Sequence, residues 1–385
     1  MRRIFVFFII LAGFVACQKT THPKAEKPPS LFDTLCKSEI VLLGEGSTHG
    51  EGTTIEFKSK LIPDLISNCG FELLLFEANF YEFAKLHDLK QSGNKITREQ
   101  IEIALGYIYR DKVQFQSMID FLEVNSNTEN LTLGGLDYQP GGRGQTYTHL
   151  TMPEEILLST NNEDPDECKD ALVQRIFESY PSNAPYDVAH KSFLLNCISK
   201  AENNNSASQS SYIKMMRRNF YRFISNDFME PRDKSIARSS FMNENFTYWR
   251  SQFDKAPKTI IWASSTHTTK SNTFLEGNLG SRIKNRFGEA AYSLGFSSVK
   301  GSIRTMQGKN KTLPDAPKTS IESTVHLEPA DAFVFLDGND LFEFGTRPGA
   351  AIFNRYQDRD WSTIFDGIIV FKEQKAVTKI PTQYE

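Results

Sequence analysis

The residues best suited to exchange protons gather after short apolar runs. The segment Leu43, Gly44, Glu45, Gly46, Ser47, Thr48, His49, Gly50 follows the apolar run Ile40–Leu43, setting a carboxylate and an imidazole among small residues. Glycines there let a substrate approach the backbone closely. Glu77 ends the run FELLLFEANF, Asp137 follows LTLGG in GLDYQ, and His267 follows TIIWA with Ser264, Ser265 and Thr266. Taken singly, each suits a capping or solvated polar residue at a loop mouth. Together they are the parts of general acid–base catalysis, in which a carboxylate fixes the tautomer of a His that takes a proton from water. No G-x-S-x-G elbow, H-E-x-x-H helix, G-x-x-x-x-G-K-[ST] loop or C-x-x-C pair occurs, which removes the enzyme classes built on them.

For these residues to meet, the apolar runs must be strands that end at one edge. Ile40–Leu43, the helical pattern Phe57–Ile66 and Glu72–Phe76 read as a βαβ unit, which requires a parallel sheet. Further runs at Leu131–Leu133, Thr259–Ala263, Ala291–Phe296, Ala332–Leu336 and Gly367–Phe371 draw strands from both ends of the chain. The expected fold is α/β, a central mostly parallel sheet flanked by helices. In open sheets of this kind ligands bind beyond the carboxyl ends of the strands. Residues 31–150 and 255–380 would form the discontinuous sheet domain, and 151–254, with helical periodicity and almost no strand signal, a helical insertion capping the strand carboxyl ends. Gly141, Gly142 and Gly144 mark a loop into the insertion, and Gln307–Ser320 with Pro314 and Pro317 reads as a long surface loop.

The 385 residues include 39% hydrophobic and 24% charged, a composition that excludes wholesale disorder and a polytopic membrane protein. Lys plus Arg at 44 against Asp plus Glu at 47 leaves a net charge of −3, with no basic block to track phosphates, so nucleic acid is not an expected partner. Arg2 and Arg3 precede an apolar run, Ile4–Val15, too short to span a bilayer, which reads as an export signal. The run closes in Phe14, Val15, Ala16, Cys17, which resembles the lipobox of bacterial lipoproteins with Phe14 in place of the usual Leu. That resemblance implies removal of residues 1–16, acylation of Cys17, a tether over 17–30, and a membrane-anchored protein of the cell envelope whose only contact with the membrane is its acylated N-terminus. Four cysteines remain, which three pairings or four free thiols would satisfy. Cys36 and Cys69 each lie four residues before an apolar run, so neighbouring parallel strands would bring them together; Cys168 then pairs with Cys197.

In order and context the sequence resembles the erythromycin esterase family. The resemblance rests on LLGEGSTHGEGTTIEFKSKLI, GFELLLFEA, GGLDYQ, Arg238 with Met242 in RSSFMNENFTYW, IIWASSTH and LGSRIKNRFGEAAYSLGF, and covers most of Leu31–Phe371. It implies an α/β fold with an active-site cleft and hydrolysis of a carboxylic ester or lactone, macrolide antibiotics being the substrates of characterised members. Carried over position by position, Glu45 and His49 match the family's first Glu and His, Glu77 its second acid, Arg238 its cleft arginine and His267 its second histidine. Three features depart from the family pattern: three residues rather than two separate Glu45 from His49, Ser264 and Ser265 replace His-Asn, and no arginine follows within Glu51–Thr54. The expected reaction is metal-independent, with His49 as base oriented by Glu45 or Glu77, His267 assisting, Arg238 facing the oxyanion and Asp137 contacting substrate. Two alternatives remain: Glu45, His49, Glu77 and His267 ligating a divalent metal, or a noncatalytic envelope protein whose cleft binds an envelope component.

Overall fold

A computed structural model describes residues 30–380 apart from 47–48, 142–145, 158–164, 204–209, 273–274, 326 and 329–331. The export run, Cys17 and the tether, expected from the sequence, lie outside the described residues.

The strands are β1 (Ile40–Leu43), β2 (Phe71–Asn79), β3 (Thr132–Asp137), β4 (Lys258–Trp262), β5 (Ala291–Ser298), β6 (Ser302–Arg304), β7 (Asn310–Thr312), β8 (Phe333–Asp337), β9 (Thr346–Gly349), β10 (Gln357–Asp360) and β11 (Gly367–Phe371). Seven of them form one sheet in the order β3-β2-β4-β1-β5-β11-β8. Every pairing is parallel except that of β11 with the edge strand β8. Each of the seven apolar runs is one strand of this sheet. The central runs IVLL and TIIW are near-continuously apolar because helices cover both faces, leaving no polar side to alternate with.

The expected adjacency of β1 and β2 does not hold, since β4 lies between them. Cys36 and Cys69 nevertheless form a disulfide, with Cα atoms 5.1 Å apart. Each lies in the last turn of a helix just before its strand, Leu31–Lys37 before β1 and Gly52–Cys69 before β2. Lys258, the first residue of β4, lies beneath the bridge and donates to both cysteine carbonyls, at 2.5 and 3.0 Å. Cys168 and Cys197 join helices Pro165–Phe177 and Val188–Asn203. Closing loops of 33 and 29 residues should each contribute on the order of 3–4 kcal/mol through the entropy of the unfolded chain. Reduction is therefore expected to lower the urea midpoint in two separable steps, assigned by the Cys36→Ala/Cys69→Ala and Cys168→Ala/Cys197→Ala pairs. An unchanged midpoint on full reduction would contradict this.

Between β3 and β4 the described residues form helices only, ending in the long helix Pro231–Arg250. That helix lies along β3. Its Trp249 indole donates to Gly135 O at 2.8 Å and its Asn245 amide to Leu136 O at 2.8 Å. Gly134 makes room for the indole, because a Cβ there would fall 2.7 Å from the ring. The insertion shares one apolar core with the sheet and reaches the strand carboxyl ends through Arg238. The expected surface loop Gln307–Ser320 requires correction: it contains β7, which pairs antiparallel with β6 as a short hairpin. Polar residues and prolines hid a three-residue strand whose side chains are all exposed.

Candidate active site

Asp137 ends β3, Glu77 lies near the end of β2, His267 follows β4, and Glu45 and His49 follow β1, four consecutive strands of the sheet. Sheet order therefore lines up residues that are up to 222 positions apart in sequence, counting 267 − 45.

Glu77 is aimed by an irregularity. Phe76 pairs with Gly135 but Asn79 with Asp137, so β2 carries one extra residue against β3 at Glu77 and Ala78. A bulge of this kind turns side chains out of the regular alternation and is common beside active sites. Gly135 accommodates it, since a Cβ there would lie 2.1 Å from Asn79 O. The expected strand Glu72–Phe76 thus continues through Glu77 to Asn79.

Glu45 is fully buried and saturated with donors. Its Oε1 lies 2.5 Å from His49 Nδ1, while Oε2 accepts from Lys58 Nζ at 3.0 Å and Trp262 Nε1 at 2.8 Å. Burial alone would raise its pKa, but the Lys58 ammonium and His49 bring it down to about 2. A carboxylate on Nδ1 selects the tautomer that leaves Nε2 as the free base. His49 has φ 51°, a left-handed conformation unusual for a residue other than glycine. It is held there by a turn bond from its N–H to Gly46 O at 3.0 Å and by Lys112 Nζ, which donates to its carbonyl.

Glu77 sits between the two histidines. Oε2 accepts from Ser264 N–H at 2.6 Å and lies 3.9 Å from His49 Nε2, while Oε1 meets Arg238 at 3.2 Å and His267 Nε2 at 3.4 Å. Burial opposes its charge, yet His267, His49 and Arg238 hold it well below the usual carboxylate range. Arg238 reaches in from the long helix, donating to Asp137 Oδ2 at 2.7 Å and lying 3.2 Å from His267 Nε2. Its partial burial opposes the charge, but Asp137 and Glu77 raise its pKa further, so it stays charged. Asp137, expected to contact substrate, is engaged by Arg238 and positions it. His267 has two proton arrangements: with Nε2–H it donates toward Glu77, and with Nδ1–H it donates toward Ser239 Oγ at 3.4 Å and leaves Nε2 to accept from Arg238.

Sequence reasoning missed Lys58, Trp262, Lys112 and Glu51. For Lys58 a signal existed: Ile55, Lys58, Ile62 and Leu65 follow one helical stripe, and a lysine on a buried stripe demands an acidic partner. Trp262 read as one more apolar strand residue, and nothing near Lys112 marks it. Glu51 is buried with Oε1 accepting from Asn354 at 2.5 Å, and burial together with neighbouring Glu45 raises its pKa.

Among the described residues no cluster of three or more His, Cys, Asp or Glu side chains is arranged to hold a metal. Instead the oxygens of Glu45 and Glu77 already accept from Lys58, Trp262, Arg238 and backbone donors.

A model of the erythromycin esterase family matches residues 66–374, a span that includes Glu77, Asp137, Arg238 and His267 and begins after Glu45 and His49. Three solved structures are similar over most of their length. A succinoglycan biosynthesis protein shares 16% identity at TM-score 0.67, with 89% of this chain and 90% of that one covered. A protein from Bacillus cereus also shares 16% at TM-score 0.67, covering 90% and 91%. A variant of an erythromycin esterase in its open conformation shares 13% at TM-score 0.58, covering 91% and 94%. At these identities the likeness establishes the fold. No curated protein sequence matches the chain.

Proposed function

The chain belongs to the erythromycin esterase family, and from that premise we propose that it is a metal-independent hydrolase cleaving a carboxylic ester or lactone with an activated water. The observation that carries this reading is His49, held by the buried Glu45 carboxylate at Nδ1 so that Nε2 is left as the base. His49 Nε2 takes a proton from water as the water oxygen bonds to the carbonyl carbon. The oxyanion that forms is met by Arg238, whose side chain is a quarter exposed and whose charge is fixed in place by Asp137 and Glu77. The tetrahedral centre then collapses, the C–O bond breaks, and the leaving oxygen receives the proton that His49 took from water, directly or relayed through His267. Glu77, near both histidines, stabilises whichever is protonated. A water nucleophile accounts for the missing serine elbow. The engagement of Glu45 and Glu77 by ammonium, guanidinium and N–H donors favours this chemistry over a metal-ligating role.

A panel of phenyl acetate, 4-nitrophenyl butyrate and small and macrocyclic lactones, run with and without EDTA, tests the reading. Turnover of at least one ester unaffected by chelator is expected. Abolition by chelator would transfer the site to metal chemistry. Absence of all turnover would favour a binding protein.

A further inference from the structure

A pocket adjoins His49, walled by the 107–112 segment, the tip of the β6–β7 hairpin and the C-terminal segment around Val377 and Lys379. Two of the walls meet at Gly50, whose carbonyl accepts from Arg304 N of the hairpin and Val377 N of the C-terminal segment, both at 3.1 Å. Only glycine permits this junction, since a Cβ there would lie 1.8 Å from Arg304 O. The C-terminal segment is further pinned to the 107–112 segment by Val113 N to Thr378 O at 2.9 Å and Ile380 N to Asp111 O at 2.8 Å. The hairpin tip is closed by Thr305 N to Lys309 O and Gly308 N to Thr305 O, each 2.8 Å. The pocket is thus a built feature beside the base.

Its charge is one-sided. Lys112, Arg304 and Lys379 line it, and the one acid in its wall, Asp111, already accepts from Arg110 at 2.9 Å. Arg304 Nε is buried and has no hydrogen-bond partner among the described residues. Burial draws the Lys112 pKa down to about 8, with Glu45 and Glu51 opposing, so it is cationic at neutral pH. A cation on each of three walls together with an unmet guanidinium N–H suits an anion, and Arg offers carboxylate or phosphate its planar fork. At the rim Tyr107 and Met306 are 55% and 57% exposed, an apolar surface for the organic body attached to such an anion.

We propose that this pocket seats an anionic group of the substrate, carboxylate or phosphate, so that the enzyme selects esters carrying a negative charge close to the scissile carbonyl lying against His49. This selectivity rests on the hydrolase reading given above.

The test compares phenyl acetate with 3-carboxyphenyl acetate and 3-phosphonooxyphenyl acetate. The wild-type enzyme is expected to prefer at least one charged ester in kcat/KM, mainly through KM, by about tenfold or more, the worth of one hydrogen bond to a charged group. Arg304→Met should collapse that ratio toward one and Arg304→Lys should restore part of it; the ratio cancels any general loss of folded enzyme. Calorimetric titration with 3-acetamidobenzoate, 3-acetamidophenyl phosphate and neutral acetanilide reads the same preference without turnover. Preference in the titration with no ester cleaved would remove the hydrolase reading and leave the anion site. Ester cleavage with equal use of neutral and charged substrates, or a preference that survives in Arg304→Met, would overturn the anion site and leave the hydrolase.

Discussion

Replacing His49 with Asn is expected to lower kcat for the best ester by about 10²–10⁴-fold, the usual contribution of a positioned general base. KM should change little, because the missing interaction belongs to proton transfer and is made in the transition state. Asn is the informative substitution because position 49 has φ 51°, a conformation that Asn tolerates better than most residues. The loss should therefore report the missing imidazole rather than a rearranged loop. Glu45→Gln should give a smaller loss in the same parameter, since the amide keeps the shape but no longer stabilises the imidazolium or enforces the Nδ1–H tautomer. The comparison is made by steady-state kinetics with thermal midpoints measured alongside. Equal kcat in His49→Asn and wild type would end the base assignment.

The largest stability effect is expected at Lys58, which touches no substrate. Its Nζ bonds Glu45 Oε2 at 3.0 Å and Leu43 O at 3.1 Å, with both side chains of the pair fully buried. Lys58→Met fits the apolar stripe of its helix yet leaves Glu45 charged and buried with one fewer counterion. Breaking a buried pair in this way costs about 3–5 kcal/mol. The pH dependence follows from the sign of the Glu45 shift. Its folded pKa is depressed to about 2 from an unfolded value of roughly 4.3, so its contribution is fully present above the unfolded value and is lost as pH falls toward the folded one. Without Lys58 burial prevails, the Glu45 pKa rises, and protonation relieves the buried charge. The deficit of Lys58→Met relative to wild type should hence be greatest near neutral pH and shrink as pH falls toward 4 in urea unfolding. Adding Glu45→Gln should recover part of it. A deficit that is independent of pH would contradict the pairing.

The fold was legible because the sheet is built from runs too apolar to be anything but buried: IVLL, ELLLF, TIIW and GIIVF are all strands. Their order was not. Nothing in the chain between β1 and β2 indicates that a strand from Lys258–Trp262 will enter between them, since parallel pairing is a long-range event. The cysteine pairing was still reached, because both cysteines stand at the same end of their strands whatever lies between. The acids and imidazoles of the site were visible as polar residues at the ends of apolar runs. Their division of labour was hidden: Asp137 faces Arg238, and Glu77 is re-aimed by a bulge that single-sequence periodicity cannot register. Lys58 was concealed in the opposite way, as a charge among surface-type residues whose helical phase alone betrays its burial.

Glu45–His49 and Glu77–Arg238–His267 are expected to act as one machine, although they come from three different strands and the long helix. A double-mutant cycle on kcat/KM for the best ester, comparing wild type, His49→Asn, His267→Asn and the double variant, tests it most directly. For a shared machine the double variant should be no more than a few-fold worse than the poorer single one, as residues acting as a unit are strongly nonadditive. Losses that multiply independently would show that the two histidines act apart, and would contradict the single site.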